Sequence, residues 1–223
     1  LGQSRRDKAV HAASEDDQKT DASPVFRHGQ FDAICIGSST GGPPVVEMIL
    51  SKLPADFDTP ILVAQHMPEL FTRSMAERLN EVCPMQVHHV EQLMPIRKGC
   101  AYIAKGGMHM VVQRQRLAQW SVKPTEEPTD HAYRPSVDAL LGTAAQCFGR
   151  RVLGIVLTGI GEDGLRGARP LVAGGGTLIA QRADTCVVYG MPKAVTKAGL
   201  PTARLAPMDI VTSLNSLQRG RAA

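Results

Sequence analysis

Aromatic residues are scarce in this 223-residue chain, at 4% with a single tryptophan. A stacking platform for single-stranded nucleic acid is therefore not expected. A formal net charge of +4 is too mild to suggest a nucleic-acid partner. Long apolar runs are also missing. None approaches the roughly 20 residues a helix needs to cross a bilayer, so no membrane insertion is expected. The opening residues 1–30 are polar and charged and lack the apolar core of a secretory signal. Five cysteines, Cys35, Cys83, Cys100, Cys147 and Cys186, are odd in number and never spaced as C-x-x-C. That pattern supports neither a disulfide framework nor a zinc knuckle. The expectation is a soluble, cytoplasmic protein with reduced thiols.

What is present is ordinary globular material, 43% hydrophobic and 21% charged, enough for one full domain with a substantial core. Residues 1–30 read as a disordered tail or linker, because QSRRDK and SEDDQKTDAS bury too little surface to offset the entropy of ordering. The domain is expected over 31–217, and 218–223 reads as a second polar tail. Inside the domain, strand-like and helix-like segments alternate. FDAICIG, TPILVAQ, MQVHHV, AYIA, RVLGIVLTG and GTLIAQ read as strands. PPVVEMILSKL, PELFTRSMAERLNEV, RPSVDALLGTAAQCF, DGLRGARPLVAGG and MDIVTSLNSL read as helices, several opened by proline. MHMVVQR and RLAQWSV predict an antiparallel hairpin. The fold class is thus α/β: a doubly wound, mostly parallel sheet with helices on both faces. Ligands of such sheets bind beyond the carboxyl ends of the strands, where the winding reverses. The loops GSSTGG, AQHMP and TGIGEDG fall there.

In GSSTGG a hydroxyl is lifted out of a strand-to-helix turn, with backbone N–H groups pointing into the same space. That is the geometry of a nucleophile elbow, although G-x-S-x-G is not spelled. A phosphate cradle, or a helix cap by Ser39 or Thr40, explains the loop about as well. The lack of G-K-[ST] disfavours a P-loop. Of seven histidines, only His66 occupies a strand-end loop next to that turn. A lone histidine is more often structural. Asp163 follows the most apolar strand and could orient His66 by accepting a ring N–H, or simply cap the next helix. Together Ser39, His66 and Asp163 suggest a serine hydrolase, in an order that differs from the α/β-hydrolases. The run 159–164 also spells G-x-G-x-x-G, with Asp184 about 20 residues on, as a dinucleotide site would. Its place late in the domain and its two acidic side chains speak against that oxidoreductase reading.

Seven runs in order, IGSSTGGP, AQHMP, YIA with MHM, RPSVDALL, LTGIGEDG, GGTLIAQ and VVYGMPKA, resemble the catalytic domain of the CheB family of chemotaxis protein-glutamate methylesterases. The resemblance implies hydrolysis of γ-glutamyl methyl esters on the cytoplasmic helices of chemoreceptors, and deamidation of certain receptor glutamines. It implies Ser39 as nucleophile, His66 as general base and Asp163 as the residue orienting it. The backbone N–H groups of Thr40 and Ile160 would form the oxyanion hole, with no cofactor and no metal. Residues 1–30 are too few for the receiver domain that commonly precedes this domain, so the expectation is either a stand-alone version or regulation from elsewhere, such as a separate response-regulator or receiver partner. Ile160, Lys105 and Tyr133 depart from the common methionine, proline and histidine. Arg73, Arg134, Met67 and Met191 are candidate substrate contacts. A catalytically inactive module binding receptors or a response regulator is the alternative.

Overall fold

The computed structural model describes residues 21–115 and 119–218. The expected tails over 1–20 and 219–223, and the tip of the hairpin, lie outside the described residues. Strands β1 (Ala33–Ser38), β2 (Ile61–Gln65), β3 (Gln86–Val90), β5 (Cys100–Ala104), β8 (Val152–Val156), β9 (Thr177–Gln181) and β10 (Ala203–Leu205) form one sheet, all pairs parallel. A two-residue strand β4 (Met94–Pro95) joins the hairpin of β6 (His109–Arg114) and β7 (Trp120–Thr125) in a second, antiparallel sheet.

Burial on both faces explains the continuous apolar runs. In β1, Ile34 and Ile36 point to one side and Ala33 and Cys35 to the other, and all four are inaccessible to solvent. The first side packs against α1 (Gly42–Ser51), α2 (Glu69–Val82) and α6 (Pro207–Asn215) through residues such as Val46, Ile49, Leu79 and Ile210. The second packs against α3 (Val137–Phe148), α4 (Leu165–Ala173) and α5 (Met191–Lys197), together with Met110, Val112 and Val122 of the small sheet. The sheet is therefore doubly wound, as the alternating segments imply. Gly167 explains why a glycine-bearing segment still forms α4. A Cβ there would come within 2.5 Å of the Asp138 carbonyl oxygen, so the glycine is what lets α3 and α4 approach.

Two features differ from the sequence reading. Helix α5 and strands β4 and β10 are additional elements, too short to carry a periodic signal in the sequence. Residues 21–30, placed in the tail, contact the domain: Phe26 is buried edge-on against Phe31, and Asp21 pairs with Arg204. The five cysteines are free thiols, and burial pushes those of Cys83 and Cys186 up to about 11 and about 12.

The strand order β10-β9-β8-β1-β2-β5-β3 places the winding reversal between β1 and β8. The loops after β1, β2 and β8 consequently open side by side at one sheet edge. No helix among the described residues is long and apolar enough to cross a membrane.

Candidate active site

The carboxyl end of β1 separates the two adjacent serines. Ser38, the last strand residue, is fully buried and donates its hydroxyl to Gln65 Oε1 at 2.6 Å. Ser39 lies beyond the strand and faces an open cavity of about 370 Å³, lined also by Thr40, His66, Met67, Pro68, Tyr133, Arg134 and Ile160. Its backbone N–H donates to the Thr158 carbonyl at 3.0 Å, which ties the β1 loop to β8. The Ser39 hydroxyl makes no hydrogen bond to a described residue, and α1 starts from Gly41 with no side-chain cap. The capping role open to Ser39 and Thr40 in the sequence is therefore not the one they take.

Two buried amides and one glycine set this loop. Gln65 Nε2 donates to the Ser39 carbonyl at 2.9 Å while its oxygen takes the Ser38 hydroxyl. Gln181 Oε1 accepts the Thr158 N–H at 2.8 Å, and Thr158 Oγ1 donates to the Thr40 carbonyl at 2.9 Å. A Cβ on Gly159 would sit 2.7 Å from Ser39 Cβ and 2.4 Å from Met191 Sδ, so only glycine permits this approach. Gln65, Thr158 and Gln181 carry no signal in the sequence, because a buried amide or hydroxyl looks like any polar residue at a strand end until its partners are known. The N–H groups of Thr40 and Ile160 donate to no backbone carbonyl among the described residues, and both residues border the cavity beside Ser39.

His66 follows β2, its backbone N–H bonded to the Ser38 carbonyl at 3.0 Å. Its side chain is 7% exposed, and Nε2 meets Asp163 Oδ2 at 2.7 Å. Nδ1 is buried and has no partner among the described residues. Tyr133 lies flat on the imidazole, ring centroids 4.2 Å apart and planes within 13°.

Asp163 does cap a helix, but not the one that follows it. Its Oδ2 also accepts the Val137 N–H at 2.7 Å. Its Oδ1 accepts the Asp138 N–H at 2.9 Å, the Gly164 N–H at 3.0 Å and the Ser136 hydroxyl at 3.0 Å. Burial alone would raise its pKa. Donation from His66 and from the first turn of α3 outweighs this and holds Asp163 down at about 2. An ionised carboxylate has no proton to give, so His66 Nε2 carries the hydrogen of this bond, and in the neutral ring Nδ1 then holds the free lone pair. Asp138 reciprocates: its Oδ1 accepts the N–H groups of Gly164 and Gly167 at 2.9 and 2.7 Å. Burial and the neighbouring Asp163 charge push Asp138 up to about 6.

That exchange disposes of the dinucleotide motif. The N-terminus of α4, where a pyrophosphate would bind, is filled by the Asp138 carboxylate, and Asp184 is paired with Arg182. His131, Asp138 and Asp163 cluster closely enough for a metal. Asp163 nonetheless directs both its oxygens at N–H and O–H donors, a poor fit to a cation. Of the candidate substrate contacts, Met67 and Arg134 border the cavity. Met191 is wholly buried beneath Gly159 and cannot reach a substrate. Arg73 lies away from the cavity, paired with Glu91 on the outer side of α2.

A family model described as CheB methylesterase matches residues 34–214. A protein-glutamate methylesterase/protein-glutamine glutaminase of Nitratidesulfovibrio vulgaris is 50% identical over 169 residues, 76% of this chain and 46% of that protein. A Shewanella denitrificans protein of the same description is 43% identical over 205 residues, 91% of this chain and 53% of that protein. The chain thus spans about half the length of the curated relatives it matches. The crystal structure of the Thermotoga maritima CheB methylesterase catalytic domain superposes with a TM-score of 0.80 at 37% identity, covering 84% of this chain and 98% of that one.

Proposed function

Because the chain belongs to the CheB methylesterase family, we propose that it hydrolyses methyl esters of glutamate side chains on the cytoplasmic helices of chemoreceptors, working in the cytoplasm. The observation that carries this reading is the His66 ring. Nε2 is held by Asp163 at 2.7 Å, Nδ1 is buried without a partner among the described residues, and His66 and Ser39 line the same cavity. Ser39 Oγ attacks the ester carbonyl as Nδ1 takes its proton. The carbonyl oxygen becomes an oxyanion held by the N–H groups of Thr40 and Ile160. Collapse of the tetrahedral adduct breaks the C–O bond, and methoxide leaves as methanol with the proton from Nδ1. Water, deprotonated by the same nitrogen, then cleaves the acyl-enzyme and returns Ser39 and a free glutamate carboxylate.

This is the Ser-His-Asp scheme with the two ring nitrogens exchanged, since the template places the aspartate on Nδ1 and the base at Nε2. Asp163 remains ionised throughout, because five donors hold it and only one of them is His66. The same sequence with ammonia as leaving group would deamidate a glutamine, the second activity in the names of the relatives.

Methanol release from membranes bearing methylated chemoreceptors tests the reading. The parent protein should release it, and Ser39→Ala should lower the rate by at least about 10³-fold. A Ser39→Ala protein as active as the parent, or a parent that releases no methanol, refutes it.

A further inference from the structure

We propose that Tyr133 is a positioning residue for His66, holding the imidazole in the plane Asp163 requires and favouring the imidazolium formed when Nδ1 takes the Ser39 proton. The inference rests on the catalytic reading above. One hydrogen bond, Nε2–H to Asp163, fixes one corner of the ring and leaves it free to swing about that bond. Nδ1 has no partner to restrain the opposite side. Tyr133 supplies the missing restraint by lying parallel to the imidazole at 4.2 Å. The face of a phenol ring is electron-rich and attracts a cation more than a neutral ring. The contact therefore strengthens as the base becomes protonated, which is the change the reaction demands.

Tyr133 also reaches the oxyanion side of the site. Its hydroxyl passes over Gly161, where an added Cβ would meet it at 3.5 Å, between Ile160 and Asp163. That hydroxyl makes no hydrogen bond to a described residue, so the ring rather than the phenol group does the positioning. The other charged or titratable groups near His66 act from elsewhere. Asp163 meets the ring edge, Arg134 borders the cavity from the Tyr133 loop, and Asp138 stands behind Asp163 on α3. His131 connects to Asp163 through the Ser136 hydroxyl. Among the described residues, Tyr133 is the ring stacked on the imidazole face.

The test compares Tyr133→Phe, Tyr133→Leu and Tyr133→Gln with the parent, using NMR of ¹³C-labelled histidine. The His66 resonance is assigned by its loss in His66→Gln. The His66 titration midpoint should fall by about half to one pH unit in the Leu and Gln variants, and stay with the parent in the Phe variant. Hydrolysis of p-nitrophenyl acetate should follow, with kcat about three- to tenfold lower, KM little changed, and the acidic limb of the pH profile moved to lower pH. The polar Gln variant guards against a Leu variant that folds badly. Equal midpoints in the parent, Leu and Gln proteins overturn the proposal, as does a Phe variant that follows Leu. A parent with no esterase activity would instead sink the catalytic reading, while the NMR comparison still decides whether Tyr133 tunes the ring.

Discussion

Replacing Asp138 by asparagine should stabilise the protein above the pH at which this carboxyl ionises. Oδ1 of Asp138 accepts the Gly164 and Gly167 N–H groups at 2.9 and 2.7 Å, and the asparagine oxygen can keep both. What the substitution removes is a charge that burial and the adjacent Asp163 make costly. Together they push Asp138 from 3.8 to about 6. A carboxyl with a raised folded pKa binds more protons in the native state between those two values, so native stability falls as pH rises through that window. The gap of about two units corresponds to ~3 kcal/mol lost to the parent at neutral pH and above. Asparagine carries no such charge. Its amide NH₂ can also donate toward Asp163, as the protonated acid would.

Urea denaturation reads this directly. Trp120, the single tryptophan, packs edge-on against Phe148 of α3 at 5.1 Å, so its fluorescence reports loss of the contact between the small sheet and that helix. At about pH 8 the Asp138→Asn midpoint should lie ~1–2 M urea above the parent. At about pH 4 most of that difference should vanish, because the parent carboxyl is then protonated in the folded state. An Asp138→Asn protein less stable than the parent at the higher pH refutes the reasoning, as does an equal difference at both.

Asp163→Asn should act in the opposite direction. An amide has one acceptor oxygen for donors that converge on both carboxylate oxygens. Either orientation sets its NH₂ against N–H groups and strands them at ~1–3 kcal/mol each, measurable by the same denaturation. If the NH₂ faces His66, it selects the tautomer with hydrogen on Nδ1, and esterase kcat should fall by about 10⁴-fold. The pH response is also opposite in sign. Asp163 sits below its ordinary value, so its stabilisation is complete above about pH 4 and disappears as pH falls toward 2, and the asparagine variant should lack that acid-side loss. Gly159→Ala drives a methyl into Ser39 and Met191. It should lower kcat by about 10- to 100-fold through displacement of the nucleophile, and unchanged kinetics would show that the loop yields without moving Ser39.

The parallel sheet was legible because the apolar runs in β1, β2, β5 and β8 are buried on both faces, and because helices rather than turns separate most of them. The same logic put Ser39, His66 and Asp163 in loops at one sheet edge, which is where they lie. Helix α5 escaped notice because seven residues opened by Gly-Met-Pro give barely two turns of periodicity. Strand β10, at three residues, has less pattern still. The packing of Phe26 was hidden by the polar residues around it, since one aromatic in a charged segment says nothing of a distant Ser216.

The harder limit lies in the site itself. Composition and spacing can nominate a histidine, but which nitrogen acts as base depends on where its partner sits. Asp163 is 97 residues from His66 in sequence and is fixed by the first turn of α3, reached from Ser136 to Asp138. In the sequence, RPSVDALL reads as a helix start with one acidic residue in its first turn, a pattern that says nothing of a link to Asp163. In the fold, that start supplies the donors that keep Asp163 ionised, while its own Asp138 caps α4 in return. Each helix N-terminus is thus closed by an acid belonging to the other's neighbourhood. Only one of the two acids also reaches His66, so the pair divides into an ionised partner for the imidazole and a more weakly acidic brace behind it.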